Sequence, residues 1–177
     1  MRIASSLIAI VLSLNASVVF AAERSPYSGQ QSRQIKALSE ATVQGLLKGQ
    51  GLGYAKAAEL NGYPGPRHVL ELAAELSLTE QQVRETESLF QRMETEAQKW
   101  GKELVESEMH LDEIFARRLV NEESLDRALK RVTENSARVR AAHLSAHVAQ
   151  AAVLSREQID LYVKLRGYEG MQHGGEG

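Results

Sequence analysis

Residues 78–82 read Leu78-Thr79-Glu80-Gln81-Gln82, and residues 154–158 read Leu154-Ser155-Arg156-Glu157-Gln158. Each stretch places a hydroxyl residue three positions before a glutamine. That spacing is a capping box. The hydroxyl accepts from the third helical N–H, and the glutamine reaches back to the N–H of the cap, so two donors that a helix start leaves unpaired are satisfied. Leu78 with Val83, and Leu154 with Ile159, flank the two boxes as hydrophobic staples. Two helix starts of one chemistry therefore bracket the longest periodic stretch of the chain.

That stretch is a hairpin. Val83, Thr86, Phe90, Met93, Ala97, Trp100, Leu104, Ser107, Leu111 and Ile114 step by threes and fours, the seam of one long helix. Gly101 interrupts it at a cost of about 1 kcal/mol relative to Ala. The period fails over residues 117–121. Asn121 then caps a second helix whose first turn, Glu122 and Glu123, suits the helix dipole. Leu125, Leu129, Val132, Ser136, Val139, His143, Ala146 and Gln150 continue the step. A last helix over residues 156–166 stops at Gly167, and residues 168–177 form a Gly-rich tail expected to be disordered. The predicted fold is all-α, a long antiparallel helical hairpin with short flanking helices.

Upstream, Asn61-Gly62-Tyr63-Pro64-Gly65-Pro66 is a turn signal, and Pro66 suits the first turn of a helix through His68, Leu70, Leu72, Ala73 and Leu76. Ser39 caps a short helix over residues 40–48, stopped by Gly49, Gly51 and Gly53. Those glycines are no phosphate loop, because no strand precedes them and no Gly-Lys-Ser/Thr follows. Residues 22–63 thus read as a flexible N-terminal region with one short helix, and residues 64–167 as the helical domain. Residues 1–21 read as a secretory signal: Arg2, an apolar run over residues 3–20, and Val19 and Ala21 at the −3 and −1 positions. Cleavage is expected after Ala21. The destination is the periplasm in a two-membrane bacterium, with membrane contact only if the segment stays as an anchor.

Composition narrows the function. The 177 residues hold 21 Lys+Arg against 23 Asp+Glu, a net charge of −2, and no cysteine. A near-neutral chain lacks the cation excess that a nucleic-acid partner requires. Without cysteine there is no disulfide scaffold, thiolate zinc site or thiol catalysis. No His-Glu-x-x-His occurs and no Ser/His/Asp constellation is readable, so the expectation is a non-enzyme.

The motifs Leu78-Thr79-x-x-Gln82 and Leu154-Ser155-x-x-Gln158 resemble the paired LTxxQ signature of the Spy/CpxP family of periplasmic proteins. The order of export signal, short helix, motif, long hairpin, motif and short helix is also similar. The second motif has Ser for Thr, which keeps the capping hydroxyl. The resemblance spans residues 64–166. It implies a hairpin-based all-α fold, often a homodimer, without enzymatic activity. It also implies an ATP-independent chaperone of the envelope stress response, binding unfolded or partner envelope proteins, with a periplasmic heavy-metal sensor or metal-binding resistance protein on the same scaffold as the alternative.

His143 and His147 stand one helical turn apart on the second hairpin helix, close enough to share a metal. The metal-sensor branch of the family places a His-x-x-x-Met or similar pair on the corresponding helix. With His147 in the second place, zinc, nickel or cobalt is favoured over softer ions. Folding the hairpin about residue 120 sets His143 opposite Ala97 and His147 opposite Met93, with Glu94 among the nearest carboxylates. His68 with Glu71 can complete the site if the first core helix packs over the hairpin. No cofactor is required by anything else in the chain. Leu144, Val148, Ala141, Ala151 and Ala152 form a second apolar strip on the same helix, for the terminal helix, a second subunit or a client to cover.

Overall fold

The computed structural model describes residues 24–168, so the signal-like segment, its cleavage point and the tail beyond Tyr168 lie outside the described residues. Six helices follow one another: α1 (Glu40–Leu47), α2 (Lys56–Glu59), α3 (Pro66–Glu71), α4 (Glu80–Ala116), α5 (Glu122–Val153) and α6 (Arg156–Leu165). No strand occurs among the described residues. The 37-residue α4 and the 32-residue α5 pack along each other as the hairpin. Residues 24–31 form a unit of turns with its own local bonds, such as Ser28 N–H to the Ser25 carbonyl at 2.9 Å, and the rest of the chain forms a second unit.

Both boxes form. The Thr79 hydroxyl accepts from Gln82 N–H at 3.2 Å, and Gln82 Oε1 accepts from Thr79 N–H at 3.0 Å. Ser155 and Gln158 repeat the exchange at 3.2 and 2.9 Å. Asn121 and Ser124 make a third box at the start of α5. The hairpin turn is tight because α4 ends with Arg118 in the left-handed region (φ 55°). There Arg118 N–H reaches the Phe115 carbonyl at 3.0 Å and Leu119 N–H the Ile114 carbonyl at 2.9 Å, which satisfies the last carbonyls of the helix.

The two glutamines do more than cap. Gln82 Nε2 donates to Gln158 Oε1 at 2.7 Å, and Gln158 Nε2 donates back to Gln82 Oε1 at 3.1 Å. The remaining amide protons reach the Val153 carbonyl at 3.0 Å and the Leu76 carbonyl at 3.1 Å. The paired motifs thus meet in space and tie together the starts of α4 and α6, the end of α5 and the end of the α3 segment. Val69, Leu76, Leu154 and Tyr162 form the apolar cluster beside this tie.

A second cluster, Leu46, Leu104 and Val139, joins α1 to the hairpin. It corrects the expectation for residues 22–63, a flexible region with one short helix. Two helices form there, α1 and α2, and Ile35, Leu46 and Ala58 are buried. The physical reason is Gly101. A Cβ at that position would stand 2.2 Å from the Leu46 carbonyl oxygen, so its absence lets α1 cross α4 with backbone against backbone. The residue that costs helix propensity is what docks the upstream region.

The predicted α4 seam is the inward face: Thr86, Ala97, Leu104, Ser107 and Ile114 are buried. On α5, Val139, His143, Ala146 and Gln150 are buried as expected, but Leu129 is 46 % exposed and Ala128 is buried in its place. Asn135 also faces the partner helix, donating to the Glu103 carbonyl at 3.0 Å. In the apolar strip of α5, Ala141, Val148 and Ala152 are exposed, Val148 at 60 %, while Leu144 and Ala151 are half-buried, and α6 packs on the α3 side.

Candidate metal centre

A cavity of about 290 Å³ lies between the Gly-rich loop after α1, α2, the start of α3 and the hairpin. His68, Met93, Glu94, His143 and His147 all line it. Five of the six candidate residues are therefore brought to one place. The sixth, Glu71, is outside the lining; its carboxylate pairs with His68 Nδ1 at 2.8 Å and Arg67 Nε at 3.1 Å. Those bonds, that from His68 foremost, hold the Glu71 carboxyl below the usual carboxylate range.

The two imidazoles are positioned differently. His147 Nδ1 lies 2.8 Å from the Tyr63 carbonyl, an acceptor, so Nδ1 carries a proton and donates it there, and Nε2 is the ring nitrogen left for another partner. Gly65 makes room for that ring, since a Cβ there would stand 3.0 Å from His147 Nε2. His143 is 3 % exposed, and its Nε2 is fully buried without a hydrogen-bond partner. The Tyr54 ring lies parallel to it at 6.4 Å. Burial, with the neighbouring His147 as the lesser cause, pushes the His143 pKa below the ordinary imidazole value. A buried polar nitrogen without a partner requires an explanation, and a neutral imidazole on a cavity wall is what a metal ligand has to be.

This shift sets a pH dependence. The folded chain resists protonating His143, whereas the unfolded chain protonates it near the ordinary value of about 6.5. Its contribution to stability is therefore complete above that value and is lost as pH falls through it toward the lower folded pKa. The slope from this one group cannot exceed about 1.4 kcal/mol per pH unit. Melting temperatures of wild type and His143→Gln between pH 7.5 and 5 are expected to converge at the acid end. Parallel profiles would assign the acid sensitivity to other groups.

Sequence reasoning missed the residues supplied by the region read as flexible. Glu59 is the main one. Its Oε1 accepts from the Tyr162 hydroxyl at 2.6 Å and the Tyr168 hydroxyl at 3.2 Å, with Arg166 Nε at 3.5 Å, and its Oε2 lies 3.6 Å from His147 Nδ1. The carboxylate and burial together drive the Tyr162 hydroxyl pKa far up, burial foremost. A signal was present in the turn: Pro64 and Pro66, both buried, stiffen the segment that carries Tyr63 and Gly65 under His147.

The described residues include no group of three or more His, Asp or Glu side chains that could hold an ion by themselves. On another face of the hairpin, a groove of about 430 Å³ runs past Leu89, Met93, Trp100, Ala142 and Ala149. Lys99 and Arg138 lie over the Trp100 ring at 4.7 and 5.4 Å. Comparison with family models, with curated proteins and with solved structures finds no match for this chain.

Proposed function

We propose that this protein is an exported, non-enzymatic helical-hairpin protein that binds a divalent transition ion, zinc, nickel or cobalt, through His143 and His147. The observation that carries the reading is the pairing of these imidazoles on one cavity wall. One is oriented by the Tyr63 carbonyl, and the other is buried, neutral and unpartnered. Carbonyl-oriented imidazole is a common way to raise ligand basicity and fix geometry. Two nitrogen donors suit borderline ions rather than calcium or magnesium, which take oxygen. The bound ion would supply a charge that links α5 to the loops around it, so ion level becomes a change in how firmly those loops dock. His68, Met93 and Glu94 share the cavity and are available as further donors.

Thermal melting with and without zinc or nickel tests this. At a hundredfold excess over the dissociation constant an ion adds about 2.7 kcal/mol. For a chain of this size that is a rise of roughly 8 °C, at about 3 °C per kcal/mol. His143→Ala is expected to abolish the rise, and His147→Ala to reduce it. An equal rise in wild type and His143→Ala, or none in wild type, would overturn the reading.

A second reading is an ATP-independent holdase. It is favoured by the exposed part of the apolar strip on α5 and by the Trp100 groove flanked by Lys99 and Arg138, where apolar surface and charge alternate. Such surfaces hold unfolded chains loosely. Failure to suppress aggregation of an unfolding client at stoichiometric amounts would remove it.

A further inference from the structure

The crossing of α1 on α4 leaves a wedge beside it. We infer that this wedge binds a single-chain amphiphile with an anionic head, a fatty carboxylate of medium length. The site is independent of the metal reading, since no residue lines both cavities.

The wedge follows from Gly101. Backbone meets backbone there, at the Leu46 carbonyl, and crossing helices diverge on either side of their contact. One and two turns further along α4, Val105 and Met109 line, with Val43 and Leu47 of α1, a cleft of about 640 Å³. The segment before α1 closes it. Ile35 is buried and also lines the cleft, and Lys36 Nζ pairs with Asp112 of α4 at 2.8 Å. This size lies within the roughly 300–1,000 Å³ of small-molecule sites. Gly101 and Met109 stand about 12 Å apart along α4, at 1.5 Å per residue, which suits an alkyl chain of medium length.

The lining is graded from apolar to polar. Leu47 and Val105 follow directly on the crossing, whereas Gln34 approaches Met109 from the other end, its Nε2 at 4.0 Å from Sδ. Next to Gln34, Arg33 is the one cation of the lining, half-buried and without a carboxylate partner among the described residues. Glu40, the one carboxylate of the lining, is exposed and accepts from Gln44 Nε2 at 3.1 Å. Leu47 and Met109 are 40 % and 41 % exposed, so the gap leaves apolar side chains against water. An alkyl chain in the cleft covers them, and a guanidinium with free donors takes a carboxylate in a paired, planar contact. Apolar walls with one cation at one end thus specify a tail and a head.

Calorimetry on the full chain tests this, with octanoate, decanoate, laurate and myristate as probes below their micelle concentrations. Affinity is expected to rise about fourfold per methylene and to level off once the tail outgrows the cleft. This series uses the unsubstituted chain and needs no variant to fold. A rise without a plateau would mean partition onto open apolar surface and would overturn the inference, as would no binding. Dodecanol and dodecyltrimethylammonium test the head. Laurate is expected to bind about tenfold tighter than dodecanol, and the ammonium weakest. Arg33→Gln is expected to remove the advantage of laurate while leaving dodecanol within about twofold. Leu47→Glu with Met109→Glu, both at exposed positions, is expected to abolish binding of every probe. Val148→Glu, on the α5 strip, is expected to leave binding unchanged. Equal binding of laurate, dodecanol and the ammonium, binding that survives Leu47→Glu with Met109→Glu, or its loss in Val148→Glu would overturn the inference.

Discussion

Gln82→Leu is expected to destabilise the fold by about 3–4 kcal/mol. The side chain makes five hydrogen bonds that leucine cannot, the longest accepted from the Thr79 hydroxyl at 3.4 Å. It caps Thr79 N–H, exchanges two bonds with the Gln158 amide, and donates to the Val153 carbonyl. Its loss removes two of the bonds of the Gln158 amide, which keeps those to Ser155 N–H and the Leu76 carbonyl, and leaves the Val153 carbonyl without this donor in a half-buried setting, where an unmet polar group costs about 1–3 kcal/mol. Urea denaturation of wild type, Gln82→Leu, Gln158→Leu and the double variant measures this. The cycle should show a coupling of about 1–3 kcal/mol, because the two bonds between the amides are already lost in either single variant. Additive losses would mean that the two motifs cap their helices independently.

Gly101→Ala is expected to destabilise by about 2–3 kcal/mol, although alanine is the better helix former by about 1 kcal/mol. The added methyl would overlap the Leu46 carbonyl, and that neighbour is backbone at the end of α1, which cannot rotate away. Relief requires α1 to lift from α4, exposing Leu46 and loosening the packing around Leu104 and Val139. Hydrogen exchange would locate the change, with amides of residues 40–54 losing protection ahead of the hairpin. An unchanged melting temperature with unchanged α1 protection would show that the crossing tolerates a Cβ.

The fate of Gly101 shows why parts of the fold are legible in the sequence and parts are not. Periodicity reports which residues of a helix face inward, so the α4 seam can be read directly. Its step of threes and fours also fits Leu125-Ala128-Val132 as well as Leu125-Leu129-Val132. Bulk argues for Leu129, but close packing of the hairpin places Ala128 inside. Capping chemistry is local and is readable at Thr79, Asn121 and Ser155. Contacts between distant segments leave no periodic trace. Leu46 against Gly101, Glu59 against Tyr162, and Tyr63 against His147 depend on how a short, aperiodic stretch wraps the hairpin. The His143–His147 pair is visible because both residues lie on one helix. The loop that completes their cavity is not.

The exchange between Gln82 and Gln158 also bears on how the molecule comes apart. These residues are 76 positions apart, and the whole hairpin must close before their amides meet. Contacts of that separation form late, because chain closure is completed before they contribute. Weakening them leaves the folding rate nearly unchanged and speeds unfolding. The paired motifs are therefore a kinetic clasp on the open end of the hairpin, and they set how long a folded chain persists before it opens.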